Sequence, residues 1–559
     1  MKTPPIQNAV IIDIDGLRRD VLYNTLAEDS LRRDANKKLP NLSKIVGNIQ
    51  LEGVYDPNKI ALEKSYGITK CDSLAANHCL TIFPSYTYPA QASIFTGLFP
   101  KNHGITANFH FDRAGKSLGA DGKSRFYSPF EAMRFYLNEG SCNRMLNKGV
   151  ITIYDYFFEQ GYKCVVSCNL FVSQSTKAVN HVTWHLPWNF EGAGKEIDWL
   201  IPNILSQFQF ITESGADGIG DYRENFDHKM IEDLLGYLGE HLKFKKAPPN
   251  LITLYFGGHD HQAHLQGEVA LQRDYLVNTV DVLLGKFLNL WEELAKINPL
   301  ENTLFVICSD HGHTRAEMDN KKRVTKKELI AAIKKIGYDT LDKSELFEQE
   351  QFSNAIINVT AGATHIYVRR GVVKDVRAEW RDHPDFQDLR PILKELSQAN
   401  QLQSSASNPF SNAFDYILFK DYDQKKYQIY KYDLMNHTDI IKPISKNFGI
   451  DQNYVLGKER LEELYSDNSG DILLLVNYSE NFRFEQNRRM LSTHGSLVAT
   501  DSDVPLIFAT PYNRRLIKSM AARSYDRGVI PSARIVDIAP TLLHLFKINF
   551  QKMDGKILF

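Results

Sequence analysis

Three aspartates stand just beyond apolar runs that are typical of buried strands. Asp15 follows the run AVIIDI, Asp260 follows LITLYFGGH, and Asp310 follows TLFVICS. The carboxyl ends of parallel strands meet at one edge of an open α/β sheet, and ligands bind at that edge. We therefore expect the three carboxylates to lie close together. Gly16 would allow the backbone to turn tightly beside Asp15.

Histidines stand near two of these aspartates, and one more stands ahead of a later apolar run. A set of three carboxylates and three imidazoles suits zinc, with manganese or iron as alternatives. An isolated Asp-His pair is more often structural, so the prediction of a metal centre depends on the whole set. Its members are Asp15, Asp260, His264, Asp310, His311 and His494.

Thr87 is the candidate nucleophile, in the segment FPSYTYPAQASIFTGLFP. Pro89 suits the first turn of a helix, where free N–H groups and the helix dipole favour an anion. A threonine hydroxyl is a poor nucleophile at neutral pH unless a metal or a base activates it. Without the metal set, Thr87 would be explained better as a helix cap. With it, we interpret Thr87 as the attacking group.

These segments resemble the nucleotide pyrophosphatase/phosphodiesterase (type I phosphodiesterase) family of the alkaline phosphatase superfamily. The resemblance runs from near the first residue to near the last, in the family's order. The segment from Thr87 to Asn108 is the most diagnostic, because it holds the nucleophile and an asparagine-bearing turn at family-like spacing. The matching segments are IDGLRRD, TYPAQASIFTGLFPKNHGITAN, DHQAH, SDHGH and THG.

The resemblance implies a cofactor of two zinc ions and a division of the ligands between them. One triad is Asp260, His264 and His494, and the other is Asp15, Asp310 and His311. It also implies that the Thr87 oxygen is coordinated to the second ion and forms a threonyl-phosphate. Asn108 matches the amide that donates to a non-bridging phosphate oxygen in the family.

Several positions depart from the family's motifs, and none of them removes a predicted ligand. Thr-Tyr-Pro-Ala-Gln replaces Thr-Phe-Pro-Asn-His, and Ala263, His313 and Ser492 replace Gly, Met and Gly. The leaving group therefore stays open. His313, like His259 and His261, is expected to support ligands and not to be one. The sulfatase branch is set aside because no Cys-x-Pro-x-Arg segment occurs.

Three functions are compatible with these residues. The leading one is a phosphodiesterase or pyrophosphatase acting on a small phosphodiester or nucleotide. The first alternative is a phosphomonoesterase or phosphonate hydrolase of the same superfamily, and the second is a catalytically silent binding protein. Trp184, His185 and Trp188 are candidates for a substrate pocket, although packing explains them better, and His365 is a candidate for approach to the site.

Charge and hydropathy exclude some partners. The 66 Lys and Arg residues almost cancel the 67 Asp and Glu residues, so a long nucleic acid is not expected to bind. No run approaches the roughly 18 apolar residues of a membrane span, and the first residues lack the apolar core of a secretion signal. The expected location is cytoplasmic, with reduced cysteines. The oligomeric state is open.

The apolar runs alternate with helical patterns, which predicts an α/β fold: a doubly wound, mostly parallel sheet flanked by helices. Residues 1–325 and 470–559 are expected to form this alkaline-phosphatase-like core, and residues 326–469 an inserted subdomain. Predicted helices span Tyr275–Ile297 and Ile535–Phe546. The predicted parallel strands are Ala9–Ile14, Lys163–Ser167, Leu251–Phe256, Thr303–Cys308 and Val504–Ala509.

Overall fold

The fold is taken from a computed structural model of the chain. It describes residues 6–56, 61–62, 64–127, 141–166, 170–171, 182–184, 220–267, 269–316, 319–341, 353–371, 378–405, 408–444, 454–484, 490–521, 525 and 527–559. Strand Val182–Trp184 is described by its backbone only. The aromatic cluster predicted from Trp184, His185 and Trp188 therefore lies outside the described side chains.

The described strands of the core form a nine-stranded, mostly parallel sheet. Asn8–Ile14 lies at its centre, parallel to Leu251–Phe256 on one side and to Thr303–Cys308 on the other. Helices cover both faces, which confirms the predicted α/β fold. The other strands are Cys164–Val166 and Val182–Trp184 beyond Leu251–Phe256, and Leu506–Ala509, Asp503–Val504, Leu74–Leu80 and Val529–Arg534 beyond Thr303–Cys308.

The central strand shows how the two faces are filled. All of its residues are buried, and successive side chains point to opposite faces. Ile11 packs in the cluster that includes helices Thr87–Thr96 and Ile538–Leu545. Ile12 packs in the opposite cluster, which includes Arg19–Ser30 and Asp281–Ala295. A strand covered on both sides has no polar face, which explains why its run is apolar apart from Asn8 and the buried Asp13.

One predicted strand has the wrong direction. Val504–Ala509 was expected to be parallel, but Leu506–Ala509 runs antiparallel to Thr303–Cys308. An apolar run that is buried on both faces is compatible with either direction, so its sequence does not distinguish them. The predicted helix Tyr275–Ile297 is also divided, into a π-helical turn Leu276–Val280 and the α-helix Asp281–Ala295.

A second, seven-stranded sheet contains most of the predicted insertion. Ile472–Val476 is one of its inner strands, between Thr364–Val368 and Phe414–Asp421. The predicted division after residue 469 would place this strand in the core, whereas its hydrogen bonds tie it to the second sheet. The remaining strands are Thr340–Leu341, Ala355–Val359, Lys426–Asp433 and Thr438–Pro443.

Shorter elements connect these layers. Cys71, Cys79, Cys164 and Cys308 are buried and free, as expected for reduced thiols, and Cys142 is buried as well. Two-stranded ribbons pair Ile49–Glu52 with Gly67–Cys71, His110–Asp112 with Arg125–Tyr127, Thr314–Arg315 with Ser492–Thr493, and Arg323–Val324 with Arg483–Phe484. Among the described residues, the other α-helices are Pro40–Val46, Pro100–His103, Ile153–Glu159, Gly220–Lys243, Gly258–Gln266, Val269–Tyr275, Lys326–Lys335, Phe386–Gln401, Gly457–Leu464, Ala499–Ser502 and Arg514–Met520.

Within the described ranges, no helix combines the length and apolar character that a membrane crossing requires. The cytoplasmic location stays a prediction.

Candidate metal centre and nucleophile

The carboxyl ends of three neighbouring strands bring the predicted aspartates together. Asp15 directly follows Asn8–Ile14, and Asp310 lies two residues beyond Thr303–Cys308. Asp260 is in the first turn of helix Gly258–Gln266, which follows Leu251–Phe256. The structure therefore places the three side chains at one edge of the central sheet.

One cluster contains Asp15, Asp310 and His311, all of them buried. The His311 Nε2 atom lies 3.2 Å from Asp15 Oδ1 and 3.5 Å from Asp310 Oδ2. The backbone N–H groups of Gly16 and His311 donate to Asp310 Oδ1 and hold that carboxylate in place. The arrangement agrees with the triad that the family resemblance implies.

A second cluster is centred on a single oxygen, Asp260 Oδ1. The Nε2 atoms of His264 and His494 lie 3.5 and 3.6 Å from it. Two ligands of a tetrahedral zinc ion, each about 2.0–2.1 Å from the metal, are separated by roughly 3.3 Å. The potential ligand atoms that lie within 4.8 Å of one another form two groups around Asp260, one with His264 and His313 and the other with His311 and His494. The predicted triad of Asp260, His264 and His494 is therefore divided between these two groups. His313 Nε2 is a further neighbour, 2.8 Å from the same oxygen.

The tautomers of the three predicted histidine ligands follow from the contacts of their Nδ1 atoms. The Nδ1 atoms of His264, His311 and His494 contact the carbonyl oxygens of Ser492, Gly312 and Ser85, at 2.8, 3.1 and 2.9 Å. A carbonyl oxygen only accepts hydrogen bonds, so each Nδ1 carries the proton. In the neutral imidazole Nε2 then has the lone pair that a metal can take, an arrangement common among metal-binding histidines.

The carboxylates also fit a cation. Asp15 Oδ1 and Asp310 Oδ2 are buried and accept no hydrogen bond from the described residues. Burial, together with the charges of Asp310 and Asp260, raises the pKa of Asp15 well above its ordinary value. Burial and the charge of Asp13 raise the pKa of Asp310 in the same way. A bound cation would offset this repulsion and occupy the unpaired oxygens.

Gly16 provides the space for this arrangement. Its φ is +69°, a left-handed conformation that glycine adopts without strain. A Cβ atom at this position would lie 2.7 Å from His313 Nε2 and 3.1 Å from the Asp260 Cα. A side chain would therefore displace His313 from Asp260.

Thr87 lies beside the first cluster. It is the first residue of helix Thr87–Thr96, and Tyr86 occupies the N-cap position. Its Oγ1 atom lies 3.1 Å from His311 Nε2. The hydroxyl thus faces a predicted metal ligand and does not cap the helix, which is the geometry expected of a nucleophile activated at a metal centre.

Asn108 lies at the same helix start. Its Oδ1 atom accepts a hydrogen bond of 3.1 Å from the backbone N–H of Tyr88. Because only the amide oxygen can accept, this contact fixes the orientation of the side chain and leaves the Nδ2 group as the donor. A donor next to the nucleophile suits an oxygen that develops negative charge.

The second sheet supports this end of the site. The backbone N–H of Gly362 donates to the Tyr86 hydroxyl at 2.7 Å, and Asn358 Nδ2 donates to the Phe109 carbonyl at 2.7 Å. These contacts hold the residues that precede Thr87 and follow Asn108. These contacts could not be predicted from the sequence, because they depend on pairing between distant segments.

His365, a candidate for approach to the site, has its partner elsewhere. His365 lies in the second sheet, where its Nδ1 accepts from the Gly470 N–H. Lys101 is exposed, with its ammonium 5.9 Å from the centre of the Phe99 ring. Tyr255, by contrast, was missed by the sequence analysis, and its hydroxyl donates to Asp15 Oδ2.

Known structures share this fold at low sequence identity. Murine ectonucleotide pyrophosphatase/phosphodiesterase 5 superposes with a TM-score of 0.52 at 17% identity, and the match covers 98% of each chain. An inactive variant of it, in complex with AMP, gives 0.50 at 16% identity, covering 98% of this chain and 97% of that one. A variant of alkaline phosphatase PafA gives 0.52 at 16%, with the same coverage.

Curated relatives match a smaller region. Ectonucleotide pyrophosphatase/phosphodiesterase C27A7.3 of Caenorhabditis elegans is 24% identical over 250 residues, which are 44% of this chain and 25% of that protein. Human family member 7 is 20% identical over 248 residues, 44% of this chain and 42% of that protein. The matched region is therefore less than half of either relative.

The family model for type I phosphodiesterase/nucleotide pyrophosphatase matches residues 9–487. This range includes every predicted site residue except His494, the second sheet and most of the central sheet. The chain belongs to the type I phosphodiesterase/nucleotide pyrophosphatase family.

Proposed function

We propose that this chain hydrolyses small phosphodiesters or nucleotides with Thr87 as the nucleophile and with two divalent cations, zinc before manganese or iron. The observation that carries the proposal is the position of Thr87 Oγ1, 3.1 Å from His311 Nε2 at the start of a helix. The AMP bound by the murine relative is the kind of nucleoside monophosphate that such hydrolysis releases.

The residues present fit two adjacent cations. Asp15, Asp310 and His311 would hold one, and Asp260, His264 and His494 would hold the other. Bound cations would lower the pKa of the Thr87 hydroxyl and offset the negative charge of the phosphate oxygens.

The chain's own groups account for the remaining chemistry. The Thr87 oxygen forms a bond to phosphorus as the bond to the leaving oxygen breaks, and the hydroxyl proton passes to the leaving group or to solvent. Asn108 Nδ2 donates to a non-bridging oxygen whose charge grows during the attack. Water then cleaves the threonyl-phosphate and restores the hydroxyl.

A preference for diesters over monoesters is expected from the donors around Thr87. A monoester dianion carries an additional charged oxygen, which a cationic side chain such as arginine meets best. Asn108 is a neutral donor beside Thr87, and the cationic side chain of Lys101 is exposed to solvent. A neutral donor suits the single charge of a diester better than the two charges of a monoester. We expect bis-p-nitrophenyl phosphate to be cleaved with a higher kcat/KM than p-nitrophenyl phosphate on the same preparation.

The same measurement distinguishes the alternatives. A monoester advantage of about tenfold or more, equal to about 1.4 kcal/mol in transition-state binding, would favour the phosphatase function instead. Asn108→Ala is the matched variant, and it should reduce diester turnover more than monoester turnover. If protein with its full metal content hydrolyses neither ester and no phosphonate, the result would support a catalytically silent binding protein.

A further inference from the structure

His313 is a fourth histidine at the metal centre, at a position where the family's motif has methionine. Its side chain is fully buried. The Nε2 atom lies 2.8 Å from Asp260 Oδ1, and Nδ1 lies 3.0 Å from Ser492 Oγ. Ser492 is itself a departure, because the family's motif has glycine there. The two departures are therefore in direct contact.

The hydroxyl of Ser492 fixes the tautomer of His313. Ser492 Oγ lies 2.5 Å from the Ala263 carbonyl oxygen, which has no proton to offer. The hydroxyl hydrogen must therefore point to Ala263, and the Ser492 oxygen can only accept from His313. His313 Nδ1 then carries a proton, as do the Nδ1 atoms of the three predicted histidine ligands.

With Nδ1 directed at Ser492, Nε2 is the ring atom of His313 that faces the carboxylate oxygen Asp260 Oδ1, at 2.8 Å. It is therefore the ring atom available to a cation that Asp260 also binds. Asp260 Oδ1 is also the oxygen that His264 Nε2 and His494 Nε2 approach at 3.5 and 3.6 Å. The ligand atoms of Asp260, His264 and His313 all lie within 4.8 Å of one another, which is close enough for one cation to be shared among them.

We propose that His313 is a further ligand, through Nε2, of the cation held by Asp260, His264 and His494, and that Ser492 positions it for that role. This inference rests on the proposed metal centre and deepens it. The cation would then have three imidazoles and one carboxylate, a set of borderline ligands that suits zinc. Neither methionine nor glycine, the family's residues, could reproduce the Ser492–His313 pair.

The test compares the purified protein with His313→Met, which restores the family's residue. Competition with a chelator of known affinity should show two zinc-binding steps in the starting protein. In His313→Met one step should be weakened by about 100-fold or more, while the other is unchanged. Thermal unfolding of both proteins in the metal-free state controls for an effect of the substitution on folding. Equal weakening of the two zinc-binding steps in His313→Met would overturn the proposal.

A spectroscopic measurement separates a ligand from a supporting residue. High-spin Co²⁺ shifts the ring N–H resonances of ligating imidazoles far outside the ordinary proton range. His313→Met should remove one such resonance from the spectrum of the Co²⁺ protein. An unchanged number of shifted resonances would show that His313 only supports Asp260, and would overturn the proposal even if the affinity fell.

Ser492→Ala tests the positioning role. It should weaken the same binding step by about tenfold, because the His313 ring loses the acceptor that fixes its tautomer. In a His313→Met background the same change should have no further effect, since the two residues act as a unit. Additive losses would contradict the link between them.

Failure of this inference is distinguishable from failure of the proposed function. A starting protein that binds neither Zn²⁺ nor Co²⁺ would refute the metal centre itself. Two tight sites that are indifferent to His313→Met would keep the metal centre and refute the role of His313.

Discussion

Replacing Thr87 with alanine is expected to lower kcat for a phosphodiester on the order of 10⁴-fold or more, because the variant has no hydroxyl to attack phosphorus. The six predicted aspartate and histidine ligands remain. The hydrogen bond lost to His311 is worth about 1 kcal/mol, so the variant should fold and keep its cations. Steady-state kinetics and elemental analysis of the same preparation measure both quantities.

Thr87→Ser is the matched control for this variant. It keeps a hydroxyl at the helix start and loses only a methyl group, so it should retain far more activity than Thr87→Ala. Near-normal turnover by Thr87→Ala would show that the hydroxyl is not the nucleophile. Loss of folding in Thr87→Ala but not in Thr87→Ser would assign the hydroxyl a structural role.

Removal of the cations is expected to reduce turnover on the order of 10³-fold or more. Cations at such a centre contribute several kcal/mol of charge stabilisation in the transition state, and each 1.4 kcal/mol is about tenfold in rate. Asp15 Oδ1 and Asp310 Oδ2, which accept no hydrogen bond from the described residues, would then be buried without a cation to offset their charge. Exhaustive chelation followed by assay, with and without added Zn²⁺, measures the effect.

Recovery after zinc addition is the control against irreversible unfolding. Zinc should restore activity in proportion to the metal bound, up to two ions per chain. Undiminished turnover by protein shown to be free of metal would contradict the two-metal mechanism.

The sequence predicted the α/β core because its buried strands are short, mostly apolar runs, and two of them are closely followed by an aspartate. Asp15 and Asp310 illustrate this, since each follows a strand that is buried on both faces. Parallel neighbours bring such positions to one edge of the sheet, so proximity followed from strand order. The direction of a strand could not be predicted in this way, and Leu506–Ala509 is antiparallel to its neighbour Thr303–Cys308.

The strand Ile472–Val476 shows a second limit of sequence reasoning. Its run ILLLV is as apolar as the core strands, yet it pairs within the second sheet. The second sheet buries both faces of this strand as the core does, so composition does not reveal which sheet a strand joins. The ligand role proposed for His313 could not be predicted for a related reason. It depends on a contact with Ser492, which is 179 residues away in the sequence.

The most direct test of the central claim is to trap the covalent intermediate on Thr87. Protein mixed with bis-p-nitrophenyl phosphate and quenched in acid within the first turnover should yield a Thr87 peptide carrying a p-nitrophenylphosphoryl group. Peptide mass spectrometry identifies the modified residue, and Thr87→Ala should show no such adduct. A first turnover that releases one p-nitrophenol per active site while the Thr87 peptide stays unmodified would contradict the account.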